Sequence, residues 1–385
     1  MRLRLCFLAG FMFMVHASAV PQRPPGYDRM VVRQNRIDAR DLGYPPVDVI
    51  PNDESAITSL VVAPDGKVYG ATSGRRSHLF VLNPIHGYVQ PLGFLPETSA
   101  VTNAVVVSSN GEVHIGTSPG GRLLKYTPEA EETRPMNVTK ACATADLGQA
   151  VRGEAIGALA MDRNSNTIYG LTYPNVHVFR YSVLAGEFVD LGTVAREAPA
   201  GENFETEKTM SRVLSVDGNG RVYCSGENGR IFRYRPDAAR LEPLNLYAPA
   251  VPGREPWTRV DALIWDPSGH FYGGTSDGYL FRFDPEKLTI TNLGKPLNQY
   301  RIAGLVRAAN GKFYGVGGDE DEMARLFSYD PATAGYEILG FVDVNRRPYY
   351  SWQAYVVKVL AGGLDGTIYI GSAERISRLY LFYPW

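Results

Sequence analysis

The chain has little cysteine: Cys6, Cys142 and Cys224 are all it holds among 385 residues. A framework of several disulfides is therefore excluded, and no His/Cys cluster has zinc-ligand spacing. Cys6 falls in an N-terminal leader, which leaves Cys142 and Cys224 as the one pair an oxidising compartment could bridge. Cys224 takes the place of a glycine or alanine in the repeat described below, so it reads as a small buried residue instead. Net charge is equally slight, −1 at pH 7, and bulk electrostatics give no support to a nucleic-acid partner. Also missing are a Gly-x-Gly-x-x-Gly turn, a phosphate-loop lysine and a Gly-x-Ser-x-Gly elbow, so no cofactor is expected. Beyond the leader, no run is long and apolar enough to span a bilayer.

What the sequence does have is glycine, tyrosine and a repeat. Ser59 to Val62 is an apolar, β-branched run, Asp65-Gly66 suits a tight hairpin turn, and three further strand-like runs follow: Lys67 to Thr72, Leu79 to Leu82 and Val89 to Leu92. The turn glycine recurs as Gly111, Gly220, Gly269, Gly311 and Gly366, with Asn166 in its place in the third copy. Three residues later comes Tyr69, His114, Tyr169, Tyr223, Tyr272, Tyr314 or Tyr369. Each third strand then opens on a polar residue followed by apolar ones, as in His78-Leu-Phe and Arg230-Ile-Phe. A sheet repeat of roughly 40–55 residues that cannot bury both faces alone is the signature of propeller blades.

The seventh copy stops after its third strand, whereas Arg36-Ile-Asp-Ala-Arg-Asp-Leu-Gly43 reads like an outer strand such as Phe188-Val-Asp-Leu-Gly192. The expected fold is all-β: a seven-bladed β-propeller over 36–385 whose last blade is completed by the N-terminal strand. Arg2, Arg4, the apolar run Leu5 to Val15 and Ala17-Ser-Ala19 read as a signal over 1–19, and 20–35 as a Pro-rich linker. The expected location is outside the cytoplasm, secreted or periplasmic. Asn137-Val-Thr139 is a glycosylation sequon.

In this topology the inner strands begin, and the second strands end, on one face. Two rings of residues fall there. One opens the third strands: His78, Arg122, His177, Arg230, Tyr279, Arg325 and Arg378. The other opens the inner strands: Thr58, Asn103, Ala158, Arg212, Asp261, Ala303 and Lys358. An arginine at a strand start can pair with loop carboxylates and cover a blade interface with its stem. Clustered, such forks would instead make an anion-binding funnel. His114 and His270 read as packing and as an exposed strand start. That leaves His78, His177 and the nearby Tyr173 as candidate bases among cations. Arg346-Arg-Pro-Tyr-Tyr-Ser-Trp352, in the last long connection, offers Arg346, Tyr349 and Trp352 to a sugar ring. Asp261 with Glu227 or Glu320 would be the paired carboxylates of a glycosidase. Asp319 to Glu322 lacks the alternating spacing of a calcium loop and reads as a solvated acidic turn.

The repeat resembles secreted kelch-like and YVTN-like seven-bladed propellers, though it lacks the kelch Gly-Gly doublet and the Trp-Asp of WD repeats. Within that class the His, Tyr and Arg around the channel are similar to those of propeller-type polysaccharide lyases of the ulvan or rhamnose–glucuronate kind. The resemblance implies β-elimination on a uronate-containing glycan. His177, His78 or Tyr173 would be base and acid, with Arg212 and Arg230 neutralising the carboxylate, Arg122 flanking them, and Asn103 a neutral donor. Arg325 and Arg378 would complete the substrate-binding ring. A module that holds an acidic glycan or another protein without turnover, and a glycoside hydrolase, remain the alternatives, and no metal is expected.

Overall fold

The protein is described by a computed structural model over residues 34–38, 50–85, 87–128, 138–194, 211–318, 322–346, 350–374 and 377–384. Seven four-stranded antiparallel sheets form the blades of a propeller. The first is Ala56–Val62, Val68–Ser73, His78–Asn83 and Tyr88–Phe94, inner to outer. The expected turns close each inner hairpin. Gly66 N donates to Ala63 O at 2.9 Å while Ala63 N donates to Lys67 O at 2.8 Å. Gly66 and its counterparts Gly111, Gly220, Gly269, Gly311 and Gly366 all have φ between 78° and 95°, where a side chain is strained; Asn166 adopts φ 52°.

The repeated aromatic joins the blades. From six of the seven second strands it meets a third-strand ring in the next blade: Tyr69 with Tyr126 at 6.3 Å, His114 with Tyr181 at 6.4 Å, Tyr169 with Tyr234 at 5.9 Å. The series continues as Tyr223 with Phe283 at 5.2 Å, Tyr272 with Tyr329 at 6.2 Å and Tyr314 with Phe382 at 5.8 Å. Each such contact adds about 0.5–1.5 kcal/mol beyond the area it buries. His114 is thus packing, as its place in the repeat implies. Beneath these rings the second strands need small residues. A Cβ on Gly70, Gly170, Gly273 or Gly315 would lie 2.2–2.4 Å from the third-strand phenylalanine of its own blade. Cys224 occupies that position opposite Phe232 and is buried and unbridged, as is Cys142.

The ring closes through Gln34–Asp38, which pairs antiparallel with Arg378–Phe382 as the outer strand of blade seven. Ile37 stands opposite Leu379, where blade three sets Gly192 opposite Val178. The strand therefore begins earlier than the Arg36–Gly43 expectation. Pairing at a sheet edge is made by backbone groups, which leaves its register weakly specified. Ile57, Leu60 and Phe80 of blade one share a core with Val359, Tyr369 and Leu379 of blade seven, so the closure is packed as well as paired. In blade two the outer strand is Thr144–Gln149. The expected leader, the expected linker up to residue 33 and Asn137 of the sequon lie outside the described residues, while the last two linker residues, 34 and 35, belong to the closing strand. Among the described residues, no helix is long and apolar enough to cross a membrane.

Candidate functional site

The inner strands share a device that sets the channel mouth. Their register slips by one residue between Ile57 and Ser59, Ile156 and Ala158, Val260 and Ala262, Ile302 and Gly304, and Val357 and Val359. The extra residue of such a bulge is left out of the ladder and re-aimed. It is Thr58, Gly157, Asp261, Ala303 or Lys358. Asn103 and Arg212 hold the same offset from the inner-strand residue opposite the repeated aromatic, Val106 facing His114 and Ser215 facing Tyr223. The ring therefore contains Gly157 and not Ala158: alternation along a strand does not reveal where an extra residue is inserted.

Around this ring Asn103 N donates to Thr58 O at 3.0 Å, and Asn103 Nδ2 donates to Arg212 O at 3.0 Å, tying blade two to blade four past the bare Gly157. Asp261 is 2% exposed. Arg259 Nε donates to its Oδ1 at 2.8 Å, and Arg301 Nε pairs with its Oδ2 at 2.8 Å. Burial alone would raise this carboxyl. The charges of Arg301, Arg259 and Arg212 overcome that and hold it below the usual carboxylate value. Three arginines thus face one buried carboxylate, with Lys358 in the same ring. Arg259 and Arg301 went unread in the sequence because they lie in connections, outside the repeat. An ionised Asp261 gripped on both oxygens is not a general acid, and Glu320 lies outside the described residues, as do Asp319 and Asp321.

The third-strand ring behaves differently. The N–H groups of His78, Arg122, His177, Tyr279 and Arg378 donate to Thr72, Thr117, Thr172, Thr275 and Ser372, at 2.8–3.1 Å. These hydroxyls at second-strand ends were legible in the sequence and fix where each third strand starts. Most of the side chains then engage their own blade. His78 is fully buried, with Nε2 at 2.7 Å from Glu54 Oε2. Burial pushes the imidazole below its ordinary value, partly offset by Glu54. Arg122 pairs with Asp146. Arg230 Nε donates to Leu244 O at 2.7 Å. The Arg325 guanidinium lies 4.7 Å over the Phe341 ring, and Arg378 is buried beside Glu374.

His177 is partly exposed. Its Nδ1 lies 2.9 Å from Asp190 Oδ2 and its Nε2 lies 3.8 Å from Glu154 Oε1. The Tyr173 hydroxyl hydrogen-bonds to that of Ser118. Arg346 and Trp352 lie on the two strands of a hairpin, Asp343–Arg346 against Tyr350–Gln353, with Trp352 opposite Val344. Tyr349 lies outside the described residues.

No family model matches the sequence, and no curated protein matches it. Solved structures do match the fold. A streptogramin B lyase is 11% identical at TM-score 0.60, over 86% of this chain and 94% of its own. Virginiamycin B lyase from Staphylococcus aureus is 12% identical at TM-score 0.60, over 85% and 94%. The WD40 propeller domain of Doa1 is 12% identical at TM-score 0.56, over 85% and 93%. At these identities the likeness shows the propeller fold alone.

Proposed function

We propose that the channel mouth seats the carboxylate of a uronate-containing glycan and that the protein is a lyase cleaving it by β-elimination. The observation that carries this reading is the convergence of Arg212, Arg259 and Arg301 on Asp261. Three guanidinium groups gathered at one buried residue of the channel mouth suit an incoming anion. Arg212 sits in the bulge ring itself, held through its carbonyl by Asn103, and is the residue to meet the ligand. Removing the C5 proton of a uronate puts charge on the adjacent carboxylate, so neutralising that group lowers the barrier. The proton passes to the base, the C4–O bond breaks, a proton goes to the leaving oxygen, and the product is a 4,5-unsaturated uronate.

For base and acid the reading relies on His177 and Tyr173. If His177 donates from Nδ1 to Asp190, its Nε2 is left as acceptor. His78 is sealed against Glu54, and Arg122 is paired within its blade, which moves both away from the chemistry. Two of the similar structures are named lyases, of streptogramin B and virginiamycin B, which is consistent with elimination chemistry on this scaffold. The leader-like N-terminus supports export, which would give access to a polymer.

The test is incubation with a panel of acidic polysaccharides, watched for the ultraviolet absorbance of the unsaturated product. Arg212→Ala should lower turnover by about 10²–10³, the loss seen on removing a preorganised donor. Reducing ends without that absorbance would identify a hydrolase, and binding without product a non-catalytic module.

A further inference from the structure

The connections into blades five and six turn Trp257 and Tyr300 outward and Arg259 and Arg301 inward. In the first, Glu255–Trp257 forms one 3-10 turn, with Trp257 N donating to Arg254 O at 2.9 Å. Trp257 is left 54% exposed, while Arg259, two residues on, holds Asp261. In the second, Tyr300 is 51% exposed and the next residue, Arg301, is 6% exposed on Asp261. Arg301 adopts φ 64°, a left-handed conformation uncommon for a non-glycine residue, and in doing so separates the two directions.

Two cations are braced against Tyr300. Lys295 Nζ lies 5.8 Å from the Tyr279 centroid and 5.2 Å from that of Tyr300. The Arg254 guanidinium lies 5.6 Å from Tyr300, and its Nε is 3.2 Å from Asp277 Oδ1. Asp277 is fully buried, and its other oxygen accepts from Val251 N at 2.9 Å and the Thr258 hydroxyl at 3.1 Å. Arg254 is thereby held at the rim, half exposed. Tyr300 is the exposed ring that both cations face, and exposed Trp257 follows Arg254 by three residues in one turn, which together suit one ligand chemistry in particular. The C–H face of a pyranose packs on the ring, and an acid group on the sugar takes the cations.

We propose that Trp257, Lys295 and Arg254 form a second subsite, taking an anionic pyranose next to the one whose carboxylate sits at the channel mouth. The placement rests on the glycan reading above, because the same two connections supply both the shelf and the arginines on Asp261.

Calorimetric titration of the full chain with uronate oligosaccharides, from disaccharide to hexasaccharide, tests it. Wild type should gain affinity with length. Trp257→Ala and Lys295→Gln should each remove about tenfold of that gain while leaving the disaccharide affinity unchanged, and Trp257→Phe should restore most of it. Full retention of the length dependence in both variants would overturn the subsite, as would failure of every acidic oligosaccharide to bind. Arg212→Ala separates the two readings: it should weaken all lengths alike. If it does not while Trp257→Ala still does, the channel-mouth assignment falls and the shelf stands. A parallel series of sulfated oligosaccharides decides the charged group, since a Lys295→Gln loss confined to that series would mark a sulfate.

Discussion

Blades one to three and blades four to six offer the channel mouth the same ring position and fill it in opposite ways. In the first half the polar groups answer one another. Thr58 donates to Val101 O at 2.7 Å and its hydroxyl lies 2.5 Å from that of Ser73, Ser118 meets Tyr173, and Glu154 takes both Thr172 and Asn175. The second half brings three arginines to one carboxylate and leaves aromatic rings at its rim. The scaffold repeats, so the connections make the difference: Arg259 and Arg301 enter from outside the repeated positions. Binding on a propeller can therefore be confined to one side of a nearly symmetric ring.

The sharpest way to break this comparison is to remove one buried carboxylate from each half. Asp261→Asn would leave Arg259 and Arg301 facing a neutral amide in a buried place, and stability should fall by about 3–5 kcal/mol. Glu54→Gln removes an equally buried carboxylate. Its cationic partners Arg75 and Arg76 are 63% and 39% exposed, and water can take over their charges. The loss there should be smaller, about 1–3 kcal/mol, mainly the unmet hydrogen bonds of the site. Denaturant unfolding of both variants measures the difference, and equal losses would show that the two halves are not electrostatically distinct.

Acid should sharpen the same contrast. Burial lowers the values of His78 and of His114, so both are favoured neutral in the folded chain. Below the unfolded histidine value of about 6.5 the unfolded chain binds more protons, and stability falls as pH drops toward the lowered folded values. Asp261 is depressed too, but as a carboxylate. Its contribution is fully present above the unfolded aspartate value of about 3.9 and is lost only as pH falls through the lower folded value. Between pH 7 and 5, then, the first half should weaken while the Asp261 cage does not. Unfolding midpoints at the two pH values should differ in wild type and converge in a His78→Gln/His114→Gln double variant.

Most of the fold was legible because its determinants are local. The repeated aromatic answers to packing against the blade next to it, and the turn glycines and the Asp-Leu-Gly of the outer strands to backbone needs within one blade. In that last motif Asp190 Oδ1 accepts from Gly192 N at 2.9 Å and Asp146 does the same for Gly148. The candidate site was legible only where it coincides with the repeat, as at Asn103, Arg212 and Asp261. His78 could not be judged because its cover, Glu54, comes from a connection of no repeated sequence. Trp257 and Arg301 escaped for the same reason: no periodicity marks them, and the opposite directions of Tyr300 and Arg301 depend on a single left-handed residue.

The smallest expected effect lies at the Ser118 and Tyr173 hydroxyls. Tyr173 is only partly buried, so water can replace the hydroxyl that Ser118→Ala removes, and stability should change by at most about 1 kcal/mol. Tyr173→Phe should cost a similar amount, and the double variant little more, since each single change already breaks the one bond the two residues share. Activity is where the pair divides. If Tyr173 carries a proton in the elimination, its phenylalanine variant loses turnover, whereas Ser118→Ala frees the hydroxyl and keeps it. Equal turnover in both variants would remove Tyr173 from the chemistry and leave His177, oriented by Asp190, as the base.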